Sequence, residues 1–167
     1  MSERRVRVGV LSLHNSKETK AILNAVTALG HGTEWLRSEN TVVRFGAGEK
    51  RLTPDVDVVA NRLLLSNADD PAEELGLART LAGLRPMLNS PEATARAAHK
   101  TAAAVALIDA DIPVPRTALA LSNEQLNRLR EEFGEVAVVK TAIGTHGGGA
   151  WKVQTTDPLT ARVGRRR

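Results

Sequence analysis

An α/β architecture in two parts, a small βαβ layer followed by a unit of different element order, follows from three features of the sequence. The run Val6-Arg-Val-Gly-Val-Leu-Ser-Leu13 is near-continuously aliphatic on its inner part, as a strand buried on both faces requires. Strand-like and helix-like segments then alternate as far as about Asn89, the pattern of a parallel sheet with crossover helices. From Ala93 onward the order becomes helix, strand, helix, strand, loop, strand, so a second unit is expected to begin near Asn89–Pro91.

After the first strand, His14-Asn15-Ser16 with Glu18 three residues beyond Asn15 has the form of a capping box. Ala21, Ile22, Ala25, Val26 and Leu29 share one helical face, and Gly30 supplies a stop. Glu34–Arg37 and Thr41–Phe45 are short strand candidates, the second leading into a turn over Gly46–Lys50. Asp57–Arg62 reads as a buried strand whose carboxyl end presents Asn61 and Arg62, where ligands gather in open α/β sheets; a solvated strand end is the plain alternative.

Asp70-Pro71 with Glu73 gives the next helix an N-cap, a proline at its first position and a carboxylate on the positive end of its dipole. Leu75, Ala78 and Leu81 form its apolar stripe, and Pro86–Asn89 is strand-like. Ser90-Pro91 repeats the cap-plus-proline start before an Ala-rich helix predicted to continue through Ala110, carrying His99 and Lys100. The two prolines of Asp111-Ile-Pro-Val-Pro115 must break it. Thr117–Leu121 is a predicted strand, Ser122 with Gln125 opens a further helix ended by Gly134, and Val136–Ala142 and Ala150–Val153 are strands flanking a glycine-rich loop.

Composition narrows the function. At 167 residues the chain is long enough for one domain, or for one domain and the start of another. With 42% apolar and 25% charged residues it can bury an aliphatic core. Without cysteine there is no disulfide scaffold, thiolate metal site or thiol nucleophile. No apolar run approaches the roughly 18 residues of a membrane span, and the charges in Met1–Val10 do not suit a signal peptide, so a cytoplasmic protein without membrane contact is expected. The net charge of +4 is misleading, because Arg4, Arg5, Arg7, Arg162, Arg165, Arg166 and Arg167 lie at the ends while the body carries slightly more acidic than basic residues. Nucleic acid is therefore not the expected partner. The histidines at positions 14, 31, 99 and 146 are scattered with none at ligand spacing, so no metal site is predicted from them.

The chemistry concentrates in Gly144-Thr-His-Gly-Gly-Gly149. Four glycines in six residues let backbone N–H groups approach an anion without Cβ clashes, as a phosphate cradle requires. Gly149 is followed by Ala150 and Trp151, not by the Gly-Lys-Ser/Thr of a P-loop, and the strand-like flank excludes a dinucleotide fingerprint. A glycine-rich turn between two strands instead makes a flap over phosphates, with the Thr145 hydroxyl and His146 as donors; an unliganded hairpin turn is the alternative. Lys140 ends an apolar strand four positions before the first loop glycine, so its ammonium needs an anionic partner or an exit to solvent. Lys100, inside a helix poor in other charge, is on its own a solvated position.

The order His99-Lys100 in a helix, Ile112-Pro-Val-Pro-Arg116, Val138-Val-Lys-Thr141 and Gly144–Gly149 resembles the front of an ATP-grasp ligase, specifically the RimK-like glutamate ligases. Met87-Leu-Asn89 resembles that family's entry into its core. The resemblance implies a pre-ATP-grasp α/β domain over residues 1–89, the first, N-terminal subdomain of an ATP-grasp fold over 90–156, and an Arg-rich tail over 157–167, with the C-terminal subdomain missing. It implies that Lys100, Lys140 and Gly144, Thr145, His146, Gly147, Gly148 and Gly149 bind ATP, and that Asn61 and Arg62 face the acceptor substrate. It also implies a reaction in which ATP activates a carboxylate as an acyl phosphate for attack by an amine. The Mg²⁺ ligands of the family are expected in the part not represented, and no catalytic residue is assigned.

By that resemblance the expected partners are a nucleotide and the carboxylate and amine substrates, and the isolated chain is expected to bind nucleotide weakly without turnover. An incomplete core would expose apolar surface and promote homo-oligomers. Two other readings compete: a non-catalytic nucleotide-binding or assembly module, and a nucleic-acid binder acting through its Arg-rich termini.

Overall fold

The computed structural model describes residues 5–65, 70–144 and 149–154. The chain divides into two compact units between Ala95 and Arg96. The first contains β1 (Arg7–Leu11), α1 (Lys17–Ala28), β2 (Gly32–Leu36), β3 (Val42–Gly46), β4 (Glu49–Thr53), β5 (Val58–Asn61), α2 (Pro71–Ala82) and β6 (Met87–Leu88), and α3 (Pro91–Ala98) begins within it.

Four strands form a parallel sheet in the order β2-β1-β5-β6, with Val10 opposite Trp35 on one side and Ala60 on the other. Both faces of the central strand are covered, which is why Val10, Leu11, Leu36 and Val59 are wholly buried together with Leu81 of α2. Each such side chain contributes about 1.5–3 kcal/mol relative to exposure. Gly9 is required by the packing, since a Cβ there would lie 2.8 Å from Leu36 Cδ1 and 3.1 Å from Val56 Cγ2. The chain leaves β1 toward β2 and returns on the other side as β5, so the carboxyl ends of β1 and β5 flank a switch in strand order, where such sheets open a crevice.

Three local features differ from expectation. Ser16, not Asn15, caps α1, its Oγ accepting from Thr19 N–H at 3.1 Å. The covered face of that helix is accordingly Thr19, Ile22, Leu23 and Val26, while Ala21, Ala25 and Leu29 are exposed. The segment after Phe45 is one arm of a hairpin and not only a turn: β3 and β4 pair antiparallel around Ala47-Gly48, both at positive φ, the geometry that matches strand twist. The second arm, Glu49-Lys-Arg-Leu-Thr53, carries one apolar residue, so its sequence holds almost no strand periodicity; that one residue, Leu52, is buried. By contrast α2 forms as expected, with the Asp70 carboxylate accepting from Ala72 N–H (2.9 Å) and Glu73 N–H (3.3 Å) ahead of Pro71.

The second unit holds α4 (Lys100–Asp109), α5 (Asn123–Glu132), β7 (Val136–Lys140) and β8 (Ala150–Gln154), the two strands pairing antiparallel. The single helix predicted from Pro91 to Ala110 is broken at His99. This residue takes extended geometry, forms an antiparallel bridge with Ile143, and caps α4 through Nδ1, which accepts from Ala102 N–H at 3.3 Å. Long-range pairing here overrides the helix propensity of the Ala-rich sequence. Thr117–Leu121 is not a strand: it has no ladder partner among the described residues, and Leu119 and Leu121 are exposed. Ser122 and Gln125 do cap α5, the Ser122 hydroxyl accepting from Gln125 N–H (3.2 Å) and Gln125 Oε1 from Leu121 N–H (2.9 Å).

Among the described residues, the fully buried apolar side chains all belong to the first unit. In the second, α4 is apolar from Ala102 to Ile108 yet buries none of its residues, and Val105, Leu107 and Ile108 are exposed. No helix among the described residues is long and apolar enough to cross a membrane.

Candidate functional site

The second unit builds its site around the exit of β7. Alternation along the strand exposes Val136, Val138 and Lys140 and partly covers Ala137 and Val139. Lys140 therefore resolves its charge by projecting from the exposed face, with no ion pair or hydrogen bond among the described residues. Directly after it, Thr141 holds both ends of the glycine loop. Its N–H donates to Gly149 O at 2.8 Å, and its hydroxyl donates to Ile143 O at 2.8 Å. Gly149 lies at φ +79°, and a methyl built on it would stand 2.7 Å from Thr141 Oγ1 and 2.9 Å from Cγ2. Only glycine permits this close approach.

Lys100 secures the other side. Its backbone N–H donates to Ala142 O at 2.8 Å, and its Nζ donates to Gly144 O at 3.2 Å. The helical lysine and the first loop glycine, about forty positions apart in the chain, are thus brought together. Thr145, His146, Gly147 and Gly148 lie outside the described residues. Arg116 is engaged elsewhere: it donates to Glu132 O at 2.6 Å and stacks over Phe133, closing the end of α5.

In the first unit, Asn61 and Arg62 stand at the carboxyl end of β5 beside Leu11, but their side chains differ sharply. The Asn61 amide is fully used internally: Nδ2 donates to Asn89 O (3.2 Å) and Thr94 Oγ1 (3.1 Å), while Oδ1 accepts from Leu63 N–H (3.1 Å). It ties β5 to the start of α3. Arg62 bonds Leu11 O through its backbone N–H, and its Nε is shielded from solvent without a partner among the described residues. A guanidinium left so is disposed to accept a carboxylate or phosphate.

Two carboxyls of the first unit are held below their ordinary values. Arg85, donating to Asp55 Oδ1 at 2.8 Å, holds that carboxyl below the ordinary aspartate value, with Arg7 and Arg51 adding attraction. Glu92 is lowered by its own backbone N–H and then by Arg79.

The donor set suits phosphate oxygens: the Lys100 and Lys140 ammonium groups on either side of the Gly144 and Gly149 positions. It does not suit a divalent cation, because no group of three or more His, Asp or Glu side chains gathers among the described residues. Sequence reasoning passed over Thr141 as a site residue. Its signal was only its place between a strand lysine and a glycine loop, since the bracket depends on strand register.

No protein-family model matches the chain. Among solved structures, a RimK domain ATP-grasp protein from Sphaerobacter thermophilus superposes with a TM-score of 0.68 at 23% identity, over 89% of this chain and 53% of that one. The fold is a partial ATP-grasp fold. D-alanyl-alanine synthetase A from Vibrio cholerae matches at TM-score 0.58 and 17% identity, over 90% of this chain and 52% of its own. The ATP-grasp ligase PsnB, solved with minimal precursor, Mg and ADP, matches at 0.59 and 18%, over 88% and 57%. The chain thus spans about half the length of the ATP-grasp structures it matches.

Proposed function

We propose that the chain is the phosphate-holding portion of an ATP-dependent carboxylate–amine ligase of RimK type, one that adds glutamate to an amine or peptide-like acceptor in the cytoplasm. The observation that carries this is the convergence of Lys100 on Gly144 and of Thr141 on Gly149, which fixes a glycine loop beside an exposed strand lysine in a partial ATP-grasp fold. Lys100 and Lys140 neutralise the phosphate chain, and loop N–H groups close over it. In the ligase reaction a carboxylate oxygen attacks the γ-phosphorus and ADP departs. The amine nitrogen then attacks the acyl carbon, phosphate leaves, and the amine gives up a proton. Arg62 holds an acidic group of the acceptor; Asn61 positions the strand end that carries it.

The residues here fit the nucleotide and not the metal, so this chain by itself binds nucleotide without turnover. Titration of the purified chain with a fluorescent ATP analogue tests the reading. Lys100→Ala or Lys140→Ala is expected to weaken binding about tenfold or more, the loss of one charge-assisted hydrogen bond of about 1.5–3 kcal/mol. Unchanged affinity in both variants, or ADP release by the chain alone with a carboxylate and an amine, would refute it.

A further inference from the structure

We propose that Lys152 is a second strand ammonium for the same phosphate chain, forming with Lys140 a two-cation clamp across one face of the β7–β8 ribbon. The inference rests on the nucleotide reading above, and it concerns a residue on the far strand, beyond the glycine loop.

The register carries it. Lys140 pairs with Ala150 and Val138 with Lys152, so Lys140 and Lys152 are diagonal neighbours. The two-residue period places Val136, Val138, Lys140, Ala150, Lys152 and Gln154 on one face, and every one of these is exposed. The opposite face, including Val139 and Trp151, is partly covered. Diagonal side chains on one face start about 7–8 Å apart at the backbone, close enough for two lysine stems to converge on one multiply charged group.

That placement suits an anion. Neither strand contains an acidic residue, and neither lysine has an ion pair or hydrogen bond among the described residues. Two cations therefore share a face whose other residues are Val136, Val138, Ala150 and Gln154, with Val136 and Val138 about half exposed. Like charges on one strand face repel, weakly while both stand in solvent, and an anion bound between them removes that repulsion. A ligand that complements this surface has several negative charges on a flexible chain and an apolar portion to cover the valines. A nucleoside di- or triphosphate has both. The far side of the ribbon, Ala137, Val139, Trp151 and Val153, is apolar and carries no cation.

The test compares ATP, adenosine and inorganic tripolyphosphate on the whole chain. Lys152→Met is expected to weaken ATP about three- to tenfold, within the range of a partly solvated charge pair to phosphate, and to leave adenosine unchanged. Lys152→Arg restores the ATP affinity, which a loss of fold would not allow; Lys152 is exposed, so the variants are expected to keep their circular dichroism. If Lys140→Met weakens ATP while Lys152→Met does not, the clamp is overturned and the nucleotide reading stands. If the wild-type chain binds no ATP, the nucleotide reading fails on its own. Tripolyphosphate then decides the clamp, which survives as a polyphosphate site if binding needs both lysines and falls if it does not.

Discussion

Replacing Gly149 with alanine isolates the bracket that holds the glycine loop. Two costs are separable in the structure. At φ +79° an L-residue loses roughly 1–2 kcal/mol relative to glycine. The added methyl also stands 2.7 Å from Thr141 Oγ1 and 2.9 Å from Cγ2, inside contact distance. Thr141 cannot turn away freely, because its hydroxyl is bonded to Ile143 O and its backbone N–H to Gly149 O. Relief therefore breaks a hydrogen bond or shifts the loop, a further penalty of about 1–3 kcal/mol. The expected loss is about 2–5 kcal/mol in the second unit, read from urea unfolding by Trp151 fluorescence in a Trp35→Phe background. In a Thr141→Ala background the overlapping atoms are gone and only the backbone term remains, so Gly149→Ala should cost about 1–2 kcal/mol there. Equal costs in the two backgrounds, or a loss under about 0.5 kcal/mol in the first, would refute the bracket.

Two further outcomes follow from the first unit. Asn61→Ala should destabilise by about 2–3 kcal/mol, because it leaves Leu63 N–H, Asn89 O and Thr94 short of partners, whereas Arg62→Met should leave stability unchanged or raise it slightly while lowering acceptor affinity; thermal melts beside acceptor titrations separate the two roles. Asp55 has its pKa lowered by folding, so its contribution is present above the ordinary aspartate value and disappears as pH falls through the folded one. Asp55→Asn should flatten the decline in urea midpoint below about pH 4 and change nothing at pH 7 beyond the lost Arg85 contact, and an unaltered acid limb would sink this assignment.

What the sequence made legible is what local chemistry fixes. The β1 run, the Asp70-Pro71 start, the Ser122/Gln125 cap and the strand lysine before a glycine loop each depend on residues within a few positions of one another. The α1 cap at Ser16 is a local misreading, but the larger ones have the opposite property. His99 breaks a helix because it pairs with Ile143, which no window around an alanine-rich run contains. β4 exists because the Ala47-Gly48 turn delivers it to β3, although its own residues are mostly charged. Asn61 and Arg62 are alike in sequence as polar residues at a strand end, and only their distant neighbours tell the structural amide from the shielded, unpartnered Arg62 Nε.

The same division runs through the site. Lys140 and the glycines were visible because each is costly without a ligand or a tight turn to justify it. Thr141 and Lys152 are unremarkable by composition, and their roles come from register: the pairing that sets Lys140 opposite Ala150 also brings Thr141 N–H to Gly149 O and turns Lys152 to the exposed face. A one-residue slip of β8 would move Lys152 to the covered face and Trp151 to the exposed one. The Thr141–Gly149 contact resists that slip from the loop end, so Thr141 also decides which side chains the ribbon presents on its exposed face.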